Sequence, residues 1–184
     1  LKRTSFREVF KDEISQQDDF VQDCTIDTDL EILIPDSYVE QIAERLVLYT
    51  RLDNCKSEEE LDLFHVEMSD RFGPIPICVE DLFITVRCRR TAVELGFERI
   101  TLKQKTLRCY FVNNPDSPYF VSELFNSILF HLQTKTNKSN LKQTGKNFLL
   151  VTENIDSMEQ VLSFLKGLAK TVNDRKLLSL STTP

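Results

Sequence analysis

A chain of 184 residues with 41% hydrophobic residues is long enough for one domain of ordinary size and apolar enough to build a core. No apolar run approaches the roughly 20 residues of a membrane-spanning helix, and the start, Leu1-Lys2-Arg3-Thr4, lacks the apolar segment of a signal peptide, so a cytoplasmic setting is expected. Five cysteines without a Cys-x-x-Cys pair argue against a disulfide framework or a zinc site, and a net charge of −6 argues against a surface that invites nucleic acid everywhere.

Residues 1–13 read as the end of a helix with Phe6, Val9 and Phe10 on one side; with no methionine at position 1, the chain is expected to be cut from something longer. Residues 14–31 are polar and acidic without helical periodicity, which predicts a linker. A short extended piece, Leu30 to Ile34, ends at Pro35, and the domain proper is expected over 32–172. From an N-cap at Asp36 or Ser37, the spacing of Val39, Ile42, Ala43, Leu46 and Tyr49 predicts a helix to about Leu52 with those residues inside. Ser57-Glu58-Glu59-Glu60 has the form of a capping box, opening a second helix whose buried stripe is Leu61, Phe64, His65, Met68 and Phe72. Gly73-Pro74-Ile75-Pro76 stops it, and a third helix is expected over about 77–95, closed by Gly96.

The chemistry then turns β-prone. Ile100 to Leu102 and Leu107 to Val112 predict a strand pair, and Asn113-Asn114-Pro115 with Pro118 breaks the chain. Val121, Leu124, Phe125, Ile128, Leu129 and Leu132 recur with helical spacing, followed by a polar loop over 133–146. Phe148 to Val151 reads as a third strand, and a capping box over Asp156 to Glu159 opens a last helix carrying Val161, Leu162, Leu165 and Leu168. Residues 173–184 are expected to form a frayed tail. The class is α+β: N-terminal helices followed by a small, mostly antiparallel sheet packed with helices.

No glycine falls in a phosphate-gripping Gly-x-x-x-x-Gly-Lys-Ser/Thr loop, so ATP is not expected to bind these residues, and neither a metal nor another cofactor is predicted. His65 and His131 both lie beside apolar helical stripes, where a packing role is the ordinary one. A Cys–His nucleophile would need the fold to bring Cys55, Cys78, Cys88 or Cys109 to one of them, and no motif supports it. The charge is unevenly spread. Ser57 to Asp70 holds six acidic residues and no Lys or Arg, while Arg87 to Arg108 holds Arg87, Arg89, Arg90, Arg99, Lys103, Lys105 and Arg108 against Glu94 and Glu98. Such asymmetry favours protein partners, with contact to DNA or another protein through the basic 87–108 region as the alternative. At 100° per residue, Glu59, Glu60, Leu63, Glu67 and Asp70 fall opposite the buried stripe of the second helix. Charged outer faces are common, yet a leucine ringed by carboxylates also suits docking of a basic partner.

Three runs then carry a resemblance: Ile34-Pro35-Asp36-Ser37-Tyr38-Val39, Arg45-Leu46-Val47-Leu48-Tyr49, and Glu67-Met68-Ser69-Asp70-Arg71-Phe72-Gly73-Pro74-Ile75-Pro76, with Ala92 to Phe97 and Ile100 after them. In this order and spacing, over about residues 30–170, the chain resembles the C-terminal domain of bacterial transcription-repair coupling factors, the Mfd proteins. The resemblance implies a non-catalytic, monomeric regulatory piece of an ATP-driven DNA translocase that displaces stalled RNA polymerase and recruits UvrA for nucleotide excision repair. It implies that residues 1–13 link to the upstream motor, where ATP and DNA bind. It also implies that this domain masks the parent's own UvrA-binding module by an intramolecular contact. Carried over by motif, Glu67 and Asp70 sit at that contact, with Leu63, Glu60 and Glu59 on the same face, while Arg71, Phe72 and Gly73 serve the fold.

Overall fold

In the computed structural model, residues 20–135 and 138–181 are described; the helix expected over 1–13 lies outside them. Among the described residues there are five α-helices, a 3-10 turn at Pro118–Val121 and five strands. The class is α+β, as the sequence pattern predicts.

Three helices come first. Helix α1 spans Ile42–Asn54, α2 Glu58–Phe72 and α3 Ile77–Glu94. The capping box of α2 forms: the Glu60 N–H donates to Ser57 Oγ at 3.2 Å, and Glu60 Oε2 accepts the N–H of Lys56, one residue before the cap, at 2.6 Å. Gly73 ends α2 at φ +86°, a conformation that favours glycine, and Pro74 follows. The stripe Leu61, Phe64 and Met68 is buried, with His65 and Phe72 at its half-buried margin. Helix α1 departs from expectation. Its first turn begins at Ile42, not at Asp36 or Ser37, because residues 35–39 fold into a turn in which Pro35 O accepts both the Tyr38 and Val39 N–H groups. Arg45 Nη1 reaches back to the carbonyls of Val39 at 2.6 Å and Glu40 at 2.9 Å. The inward face is then Leu48 and Leu52, while Ile42, Ala43 and Leu46 face outward. Residues 30–34 form no strand; Ile34 is buried and its N–H donates to Tyr49 Oη at 2.7 Å.

The sheet has the order β1-β2-β3-β5-β4, with β1 Thr25–Thr28, β2 Phe97–Lys103, β3 Thr106–Phe111, β4 Ser139–Thr144 and β5 Asn147–Glu153. Pairing is antiparallel except for β1 on β2, which is parallel in the register Thr25 to Arg99. Two strands lie where none was expected. The linker predicted over 14–31 supplies β1, and Phe20, Val21 and Cys24 before it pack into the main core. The polar loop predicted over 133–146 supplies β4, whose side chains are exposed after Ser139 because it is the edge strand with only β5 beside it. Helix α4 spans Glu123–Lys135 and α5 Met158–Ser181, so α5 continues through the stretch expected as a tail. The last buried residue on α5 is Thr171; beyond it Val172 packs at the margin of the core and Arg175 lies 4.5 Å over the Phe130 ring, while Leu177, Leu178 and Leu180 are exposed.

Helix α3 joins two clusters of buried side chains. Val79, Phe83 and Val86 fill the space under α1 and α2, while Cys88 and Ala92 enter the core between the sheet, α4 and α5. The Gly96 turn, at φ +81°, brings the chain from α3 into β2 against the ring of Tyr119, whose hydroxyl donates to Leu95 O at 2.6 Å. This frame holds α1 and α2 with one face on the core and the other in solvent.

Candidate partner-binding surface

All five residues predicted for the contact lie on α2, outside the core. Glu59 and Glu60 belong to the first turn. Glu60 closes the cap, and the Glu59 main-chain N–H, with the Ser57 hydroxyl second, holds its carboxyl below the usual carboxylate range. Leu63 is 71% exposed and its neighbour Val66 64% exposed, so the middle of the face is apolar and uncovered. Asp70, one turn after Glu67, is exposed and makes no hydrogen bond or ion pair among the described residues.

Glu67 stands differently. Its two oxygens accept Nη1 and Nη2 of Arg51 from α1, each at 2.6 Å, and Arg71 Nη1 lies 3.5 Å from Oε1. Arg71 in turn donates to Glu44 Oε1 at 2.5 Å. The two arginines lie on rings, Arg51 4.6 Å above Phe64 and Arg71 4.8 Å above Phe72. The Arg51 guanidinium therefore holds the Glu67 carboxyl below its usual range. A ladder Arg51–Glu67–Arg71–Glu44 thus ties α1 to α2, and Arg51, Cys55, Glu60, Leu63 and Glu67 border a groove of about 390 Å³. The sequence reading found Glu67 but missed Arg51 and Glu44. The Glu67–Arg71 spacing of one helical turn was legible; the Arg51 contact, 16 residues away, needed the antiparallel packing of α1 on α2.

The charge asymmetry has an internal explanation. Arg87 pairs with Glu58 and with Asp62 at 3.1 Å, and Arg90 donates to the carbonyls of Cys55 at 2.7 Å and Ser57 at 3.0 Å. Arg89 bridges Asp53 and Asp23, Lys103 meets Asp27 at 2.5 Å, and Arg99 lies 4.0 Å over Tyr110. Of the seven basic residues, only Lys105 and Arg108 make no ion pair, side-chain hydrogen bond or ring contact among the described residues. The basic region is therefore largely occupied in holding α3 to α2 and β2 to β1. The three buried thiols do not fit nucleophilic chemistry either. Burial pushes Cys24 and Cys88 up to about 12 and Cys109 well above the ordinary thiol range, opposite to an activated cysteine. His65 meets Glu80 at 2.7 Å and the edge of Phe83, and buried His131 meets Thr171 at 2.6 Å.

The architecture is that of an α+β domain whose two leading helices pack on α3, which joins them to a sheet covered by helices. The family model of the TRCF domain matches residues 28–121, and the chain belongs to that family. It is 32% identical over 139 residues to a transcription-repair-coupling factor of Rickettsia conorii, covering 75% of this chain and 12% of that protein. It is 31% identical over 93 residues to the factor of Escherichia coli, covering 50% of this chain and 8% of that protein. The chain thus spans about an eighth or less of these relatives. A crystal structure of the C-terminal domain of a transcription-repair coupling factor superimposes with a TM-score of 0.67 at 16% identity, covering 83% of this chain and 95% of that one, and so shares the fold. Among the described residues no helix is long and apolar enough to cross a membrane.

Proposed function

We propose that this chain is a non-catalytic regulatory domain of a transcription-repair coupling factor, and that it masks the parent protein's UvrA-binding module through the outer face of α2. The parent would use ATP on a motor elsewhere in its sequence to move on DNA, displace stalled RNA polymerase and recruit UvrA. The observation that carries the masking role is the exposure of Leu63 and Val66 beside a carboxylate, Asp70, that has no partner of its own among the described residues. An apolar centre with a charged rim is the arrangement of a reversible protein contact. Ion pairs at such a rim are weak and screened by salt, but a tethered partner acts at an effective concentration of about millimolar, so a weak contact keeps the parent closed and still releases.

The test is UvrA binding by the full-length parent carrying Glu67→Ala and Asp70→Ala. Masking through this face predicts tighter UvrA binding while the domain still folds and unfolds cooperatively. Affinity no better than wild type removes the role from these residues.

A further inference from the structure

We infer that Glu67 acts at this surface as a positioning residue for Arg51, and that the partner meets two groups of opposite sign, the Asp70 carboxylate and the Arg51 guanidinium, on the surface that carries Leu63. The inference rests on the masking role proposed above and divides the labour within it.

A carboxylate whose oxygens already face two arginines gains less from an incoming cation than one with no partner. Those of Glu67 accept two parallel hydrogen bonds from Arg51, with Arg71 on the other side of Oε1. A partner lysine or arginine arriving there would have to displace Arg51 or add a third cation to two already present. Asp70 presents no such obstacle.

Arg51 is the group that gains from the arrangement. Its guanidinium is fixed on one side by the Phe64 ring at 4.6 Å and at its tip by Glu67, so its plane is set before any partner arrives. Of the five N–H groups of a guanidinium, two are used toward Glu67, which leaves three. The side chain is 44% exposed, and it borders the same groove as Leu63. The partner that fits is a protein surface with an apolar contact for Leu63 and Val66, a cation for Asp70 and a carboxylate for Arg51. A nucleic acid does not fit, because Asp70, Glu59 and Glu60 would face its phosphates.

The test compares Arg51→Ala, Glu67→Ala, the two together, and Asp70→Ala in the full-length parent, reading UvrA affinity and thermal unfolding. Arg51→Ala and Asp70→Ala are each expected to tighten UvrA binding by roughly tenfold. Glu67→Ala is expected to do the same alone and to add less than about twofold to Arg51→Ala, because its action passes through that residue. Arg51→Lys, which keeps the charge but loses the two-point grip, is expected to fall between wild type and Arg51→Ala, and it serves in place of Arg51→Ala should that variant unfold. If Glu67 met a partner cation directly, Arg51→Ala would free it and leave UvrA binding unchanged or weaker, and that result with Asp70→Ala still releasing would overturn this inference alone. If Asp70→Ala and Arg51→Ala both leave UvrA binding unchanged, the masking role falls with it.

Discussion

Replacing Gly96 by alanine should weaken the whole domain, and the structure separates two causes. The first is backbone: at φ +81° an L-residue is strained by roughly 1–2 kcal/mol. The second is space. A Cβ at Gly96 would lie 2.2 Å from Tyr119 Cε2 and 2.7 Å from Cζ, far inside contact distance. The ring cannot step aside easily. Tyr119 is fully buried, its hydroxyl is held by Leu95 O, and Phe20, Phe111, Phe120 and Phe125 surround it with ring centroids 5.3 to 5.9 Å away. Overpacking of this kind costs about 1–3 kcal/mol, so the total is about 2–5 kcal/mol, a large share of the roughly 5–15 kcal/mol that holds a domain folded. With a urea slope of about 2 kcal/mol/M, the unfolding midpoint should drop by about 1–2.5 M. Gly145→Ala is the control, since Gly145 also has positive φ but nothing within 4 Å of the added Cβ, and it should lose only the backbone part. Equal midpoint shifts for the two substitutions would refute the argument from the Tyr119 ring.

Two further outcomes follow from the same core. Leu61→Ala, at a fully buried position under α2, should cost about 2–5 kcal/mol in chemical unfolding, whereas Leu63→Ala, two residues on but exposed, should change stability by less than about 0.5 kcal/mol; similar costs would mean that the face is misassigned. Burial raises the thiols of Cys24 and Cys88 from 9.0 to about 12, so the folded state keeps their protons while the unfolded chain loses them. Their contribution is intact below pH 9 and is lost as pH rises toward 12. The urea midpoint should therefore fall between pH 8.5 and 10.5 under reducing conditions, and less steeply for Cys88→Ala; equal slopes would count against the buried thiol as the cause.

Much of the local structure was readable because local chemistry decides it. Ser57 with Glu60 and Gly73-Pro74 bound α2, and the spacing of Leu61, Phe64 and Met68 sets its buried face. Gly96 closes α3, and the β2–β3 hairpin follows from two β-prone runs around a short polar turn. The acidic outer face of α2, with Leu63 in it, came from the same periodicity, as did the family likeness from motif order. What failed depended on neighbours distant in sequence. Periodicity offered Ile42 and Leu46 as the inner face of α1, but the helix rests on α3 through Leu48 and Leu52, and an apolar stripe does not say which side will be covered. Thr25–Thr28 looked like part of a linker because its partner, β2, begins about 70 residues later, and Ser139–Thr144 looked like a loop because an edge strand tolerates polar side chains.

The sequence by itself determined where α2 starts and stops and where α3 ends, which face of α2 is apolar, and that Glu67 and Asp70 lie together opposite the core. Only the tertiary structure decided that these two carboxylates differ. Packing α1 against α2 places Arg51 on Glu67 and leaves Asp70 open, because hydrogen bonding between side chains 16 residues apart depends on how two helices cross and not on the period of either one.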